Sequence, residues 1–150
     1  MFTIRDFIIE SNKIEGILRE PTNAELKAHS DLLKIDNITI AILQEFVFAL
    51  QPGARLRETA DMNVQVGKHI APSGGVNIVV KLNEILSNLR DSDPYEVHRQ
   101  YENLHPFMDG NGRSGRALWL WMMDRKGELY RALKLGFLHN WYYQSLDAKR

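Results

Sequence analysis

The chain has 150 residues, 44% hydrophobic and 25% charged, which suffices for one domain with its own core. Its 19 basic and 19 acidic side chains cancel, which argues against a nucleic-acid partner. It has no cysteine, so disulfide and thiolate chemistry are excluded and zinc would need histidine and carboxylate ligands.

No repeat, low-complexity tract or linker interrupts the chain, so residues 1–150 are expected to form a single domain. The start, MFTIRDFIIE, carries Arg5 and Asp6 and has no leader-like apolar run. No stretch approaches the roughly 18 apolar residues of a membrane span, so the expectation is a cytoplasmic protein without a membrane partner. Helical patterns dominate. Thr3 and Asp6 form a capping pair ahead of Phe7, Ile8 and Ile14, which predicts a helix over about 3–16. Thr22 and Glu25 form a second capping box, opening AELKAHSDLLK. A third helix covers TIAILQEFVFAL and stops before Pro52-Gly53.

Residues 55–75 break the helical pattern. Val64 and Val66 alternate with polar neighbours, and a glycine, Pro72 and two more glycines follow, which predicts a short β-hairpin or flap over about 55–72. A fourth helix covers GVNIVVKLNEILSNLR, with Ile78, Leu82, Ile85, Leu86 and Leu89 on one side. Asp93 caps a fifth, with Pro94 at its first position, and that helix delivers His105. A sixth, GRALWLWMMDRK, ends at Gly127, and a last helical region covers about 129–146. The fold class expected is all-α with one small hairpin.

Between the fifth and sixth helices lies HPFMDGNGRSGR, His105 to Arg116. Gly110 and Gly112 would allow positive φ and a close approach to a ligand. Successive backbone N–H groups could then form an anion nest at the positive end of the next helix dipole. Arg113 and Arg116 are three apart and can lean over that same end, where guanidinium forks suit phosphate oxygens. Asp109, at the mouth of the nest, is the kind of lone carboxylate that holds Mg²⁺ beside phosphates. His105 is a candidate general base, since the unperturbed pKa of histidine lies nearest neutrality among side chains. Phe107 should point into the core, and His29, His69, His98 and His139 read as structural.

These residues resemble the signature of the Fic family, H-x-F-x-D-G-N-G-R-x-x-R. His105, Phe107, Asp109, Gly110, Asn111, Gly112, Arg113 and Arg116 all match it. The resemblance implies a mainly helical Fic-like domain whose flap precedes the active-site loop at 105–116. It implies an adenylyltransferase that moves AMP from ATP to a Ser, Thr or Tyr hydroxyl of a target protein, which could be the chain itself. His105 would deprotonate that hydroxyl, and Asp109 would hold Mg²⁺. Asn111 and the backbone of 110–113 would cradle the phosphates, with Arg113 and Arg116 on the β- and γ-phosphates. The flap at Val64, Gln65, Val66 and Gly67 would bind the target's main chain by strand addition. Tyr142 and Tyr143 resemble the family's tyrosine pair near the adenine. Whether the protein forms a homo-oligomer is open.

SNKIEG, Ser11 to Gly16, is similar to the family's inhibitory motif, [S/T]-x-x-x-E-[G/N]. The resemblance implies that Glu15 pairs with Arg116 and removes the γ-phosphate's partner. Two other functions stay open at this level: removal of AMP from a modified protein, and a non-catalytic nucleotide-binding or toxin-antitoxin-like regulatory module.

Overall fold

The computed structural model describes residues 2–135. Seven α-helices are described: α1 (Ile4–Ile14), α2 (Asn23–Leu33), α3 (Ile40–Leu50), α4 (Val76–Leu86), α5 (Pro94–Leu104), α6 (Asn111–Arg125) and α7 (Leu129–Leu135). Two short antiparallel strands, β1 (Gln65–Val66) and β2 (His69–Ile70), form the hairpin between α3 and α4, pairing Gln65 with Ile70 and Val66 with His69. The protein is therefore mainly helical with one small hairpin, as the pattern predicts.

Local chemistry places the helix starts. Thr3 accepts from the Asp6 N–H at 3.3 Å while the Asp6 carboxylate accepts from the Thr3 N–H at 2.8 Å, a reciprocal cap. The same box opens α2, with Glu25 N–H on Thr22 at 3.1 Å and Thr22 N–H on Glu25 at 2.7 Å. Asp93 caps α5 through the Glu96 N–H at 2.9 Å, with Pro94 at the start of the helix.

Two boundaries differ from expectation. The fourth helix ends at Leu86, and Leu89–Asp91 form a separate 3₁₀ turn. Ser87 donates its hydroxyl to the Glu84 carbonyl at 2.8 Å, a local bond that competes with helix continuation, yet Leu89 still reaches the core. The sixth helix begins inside the glycine motif, at Asn111. Of Gly110 and Gly112, only Gly110 takes positive φ, at 78°, whereas Gly112 lies in the helix.

Helix α6 is the centre of the fold. It contacts α1, α2, α3, α5 and α7, and Asn111 and Arg113 through Met122 are buried, apart from the half-buried Gly112 between them. On one side the main core joins Leu43, Phe46, Val47, Ile78, Leu82, Tyr101, Phe107, Leu118 and Trp121. On the other, a smaller cluster of Phe7, Ile14, Trp119, Leu120, Ala132 and Leu133 holds α1 and α7 against it. Phe7 stacks on Trp119 with ring centroids 6.4 Å apart. The α5–α6 contact is so close at Gly115 that a Cβ there would sit 2.5 Å from the Glu102 carboxylate and 3.0 Å from the Tyr101 ring. Among the described residues, no helix is long and apolar enough to cross a membrane.

Two histidines are buried, His98 bonding from α5 to α6 and His29 bonding within α2. His98 Nδ1–H donates to the Gly115 carbonyl at 3.0 Å, and His29 Nδ1–H donates to the Glu25 carbonyl at 2.8 Å. Burial pushes their pKa values down, to about 4 for His29 and about 3 for His98, so both are neutral in the fold. Unfolded, each titrates near its ordinary value of about 6.5. The stability they contribute is complete above that value and is lost as pH falls toward the folded values. We expect urea unfolding to show a loss on the order of 2 kcal/mol per histidine between pH 7 and pH 5; a flat stability over that range would contradict neutral, buried imidazoles.

Candidate active site

The site is built where α5 hands over to α6. Helix α5 ends at His105, whose backbone is left-handed at φ 53° and ψ 62°. It is the one non-glycine residue with positive φ among those described, and such a residue is uncommon enough to mark a constrained turn. The kink swings the imidazole out of the helix line and into a cavity of about 260 Å³. That cavity is lined by Glu15, Ile17, Gln51, His105, Met108, Asp109, Gly110, Asn111, Gly112 and Arg113. A larger, mostly apolar groove of about 330 Å³ runs between α2 and α3, but it lacks converging polar groups of this kind.

The loop is strapped from within. Phe107 is fully buried. The Asn111 side chain accepts from the Phe107 N–H at 2.8 Å and donates to the Phe107 carbonyl at 2.7 Å. Its amide is therefore engaged in holding the loop, and it shapes the cavity rather than reaching across it. Asp109 is exposed at the mouth and accepts from the Gly110 N–H at 2.8 Å. Ser114 donates to the Gly110 carbonyl at 2.8 Å and lies 2.7 Å from the Tyr101 hydroxyl, which fastens the first turn of α6 to α5. Gly110 brings no capping side chain to α6, so the front of the helix faces the cavity with backbone alone.

Both arginines of the motif are nearly inaccessible, at 1% for Arg116 and 5% for Arg113. Arg116 Nε donates to Ser11 Oγ at 2.8 Å, and Nη2 donates to the Ser11 carbonyl at 2.9 Å and to Glu15 Oε1 at 2.8 Å. Glu15 is itself 36% exposed in its side chain, so the pair is buried on one side and open on the other. The carboxylate lies directly against Gly112: a Cβ there would be 2.2 Å from Glu15 Oε1. A side chain at 112 would displace that carboxylate and crowd the Arg116 guanidinium, 3.0 Å away, so Gly112 serves close approach rather than the positive φ also expected of it.

Arg113 faces another acid. Its Nη1 donates to Glu25 Oε2 at 3.1 Å, and its Nη2 lies 3.3 Å from Gln51 Oε1. Glu25 also accepts from Asn12 at 3.1 Å and from Arg19 at 2.7 Å. Burial alone would raise the Glu25 pKa, but the bonds from Arg19 and Thr22 overcome that and bring it to about 2. Sequence reading placed Glu25 only in a capping box, and Asn12, Arg19 and Gln51 in no site. No sequence signal singles them out, because their convergence depends on three helices crossing.

The structure thus brings together Ser11, Glu15, His105, Asp109, Gly110, Asn111, Gly112, Arg113 and Arg116. The hairpin at Val64, Gln65, Val66 and Gly67 stands beside α5, where His69 Nε2–H donates to the Asn103 carbonyl at 3.0 Å. Gln65 and Gly67 are exposed while Val64 and Val66 are half-buried, the alternation the sequence predicts. Tyr142 and Tyr143, and with them His139, lie outside the described residues.

No curated protein matches the chain. The Fic/DOC family model matches residues 28–123, which take in the hairpin, His105 and the whole glycine motif but leave Ser11 and Glu15 outside. On that match over more than half its length, the chain belongs to the Fic/DOC family.

Proposed function

We propose that the protein transfers AMP from ATP to a hydroxyl of a Ser, Thr or Tyr on a target protein, and that Glu15 holds it in an inhibited state. Family members generally transfer nucleotide monophosphates to proteins, which sets the reaction class. The observation that carries the finer reading is the polar cavity in which His105, Asp109 and the open front of α6 meet, with Glu15 seated on Arg116 at its edge.

The chemistry follows from those positions. A triphosphate lying along the front of α6 would meet backbone N–H groups and the positive end of the helix dipole. His105 would accept the proton of the target hydroxyl as its oxygen attacks the α-phosphorus. The bond from the α-phosphorus to the bridging oxygen breaks, and pyrophosphate leaves. Positioning and charge neutralisation supply most of the rate in such transfers, so one base suffices.

The donor set fits a divalent metal bound with the nucleotide. Among the described residues, no group of three His, Cys, Asp or Glu could hold a metal alone. Asp109 is a single exposed carboxylate in the cavity wall, which suits an octahedral Mg²⁺ completed by phosphate oxygens and water. That ion would neutralise phosphate charge. The hairpin would hold the target's extended main chain by adding it as a strand, a mode that reads backbone and leaves target choice to other surfaces.

Glu15 competes for the same ground. Its carboxylate contacts Arg116 and Gly112, where an incoming γ-phosphate would need both the guanidinium and the space. The half-exposed carboxylate also suits removal of AMP, in which it orients water to attack the phosphorus, the bond to the side-chain oxygen breaks, and AMP leaves as the hydroxyl is regenerated. Incubating the protein with a modified target in the absence of ATP separates the two directions.

Glu15→Gly should raise incorporation of label from ATP by at least about tenfold. Stability should fall by no more than about 3 kcal/mol, because Arg116 is buried but keeps its bonds to Ser11 and the pair is open on one side; equal labelling in both forms would remove the inhibitory role. In the Glu15→Gly background, His105→Ala should lower transfer by at least about 100-fold while ATP binding, read by calorimetry, persists. Retained transfer would unseat His105 as the base.

A further inference from the structure

Arg57 is among the most deeply buried side chains of the protein, at 0% exposure. Among the described residues no carboxylate pairs with it. Its guanidinium donates instead to four backbone carbonyls. Nε reaches His105 at 2.6 Å, Nη2 reaches Leu104 at 2.8 Å, and Nη1 reaches both Met62 at 2.9 Å and Pro72 at 2.8 Å. Leu104 and His105 close α5, so the cation sits at the negative end of that helix dipole. Met62 and Pro72 bracket the hairpin, one before β1 and one after β2.

The neighbouring backbone repeats the link. Arg57 N–H donates to the Pro106 carbonyl at 2.8 Å, Met108 N–H to Arg55 at 2.8 Å, and Leu56 bridges Phe107. The hairpin's stem is tight as well: a Cβ on Gly74 would lie 2.4 Å from the Thr59 carbonyl and 2.5 Å from that of Met62. One planar fork therefore joins both ends of the hairpin to the left-handed turn that aims His105. Arginine suits this task because its five donors lie in a fixed plane, whereas an ammonium radiates three from one atom.

We propose that Arg57 is a positioning residue that makes the hairpin at 62–72 and the His105 turn a single mechanical unit. This rests on the transfer reaction proposed above. If the hairpin docks the target and His105 takes its proton, Arg57 sets the distance between docked hydroxyl and base. A displacement of about 1 Å at such a step costs on the order of 100-fold in rate.

The test uses the full chain carrying Glu15→Gly, with Arg57→Lys and Arg57→Ala added separately. Hydrogen exchange should show residues 62–72 and 104–110 losing protection together in Arg57→Lys, with α2 and α3 unchanged. In the folded Arg57→Lys protein, kcat should fall at least about tenfold while the ATP dissociation constant stays within about twofold, a split that a loss of folded protein does not produce. Arg57→Ala should show the same pattern more strongly where it folds, and where it does not, the lysine form decides. Unchanged exchange in both segments, loss in only one of them, or an unchanged kcat in Arg57→Lys overturns the proposal. Should Glu15→Gly itself transfer nothing, the reaction assigned above fails, and the exchange measurement still decides whether Arg57 couples the two segments.

Discussion

An α-helix leaves its first backbone N–H groups without intrahelical partners, and the arrangement around α6 follows from where those groups point. Gly110 turns the chain with positive φ and offers no side-chain cap, so the helix opens toward a cavity instead of closing on itself. Asn111 cannot face that cavity fully because its amide ties down Phe107 on both sides. Gly112 keeps the surface bare enough for a carboxylate to rest on the backbone. The helix front, the bare Gly112 and the buried Arg116 meet at one place, where the chain's own Glu15 carboxylate sits against the guanidinium.

The second half of the site depends on burying cations without stranding them. Arg57, Arg113 and Arg116 are all almost inaccessible, and a buried charge is costly unless its donors are satisfied. Each is satisfied differently. Arg116 has a serine, a carbonyl and a half-open carboxylate. Arg113 has the fully ionised Glu25 and Gln51. Arg57, among the described residues, has carbonyls alone. The order of these partners tracks what can change: a partly solvated carboxylate leaves more readily than a buried one, and backbone carbonyls hardly leave at all. Glu25 adds a further constraint, because it also holds Asn12 of α1 and Arg19 beyond it. Helix α1 is thus anchored by a polar contact at Asn12 and by the packing of Phe7 and Ile14, leaving Glu15, the C-cap just past its end, the most exposed part of the contact.

Features set by short-range chemistry were legible in the sequence. Thr3 with Asp6, Thr22 with Glu25, and Asp93 with Glu96 each start a helix through bonds between residues three positions apart. The alternation of Val64 and Val66 foretold the hairpin, and the spacing of Ser11 and Glu15 put both on one helical face, where they meet Arg116 together. What depended on long-range packing was not legible. Asn111-Gly112-Arg113 reads locally as loop, yet tertiary contacts wind it into α6. Ser87 and Asn88 lie in a pattern that reads as continuous helix but breaks into a 3₁₀ turn. Glu25 looked complete as a cap, with nothing to suggest that Arg113 would arrive from 88 residues away. Nothing in the sequence singles out Arg57, because no local pattern marks an arginine whose partners among the described residues are main-chain carbonyls.

The Glu15–Arg116 contact joins two parts of one polypeptide, so its strength does not vary with how much protein is present. A tethered carboxylate acts at a fixed effective concentration, which for short connections reaches the millimolar range. Dilution cannot loosen it, and neither can scarcity of the protein in a compartment. Any anion that reaches Arg116 must outcompete that constant local supply, or something must first pull the end of α1 away. Under the inhibitory role proposed for Glu15, occupancy of the pocket would follow the abundance of free ligand or of a binder for α1.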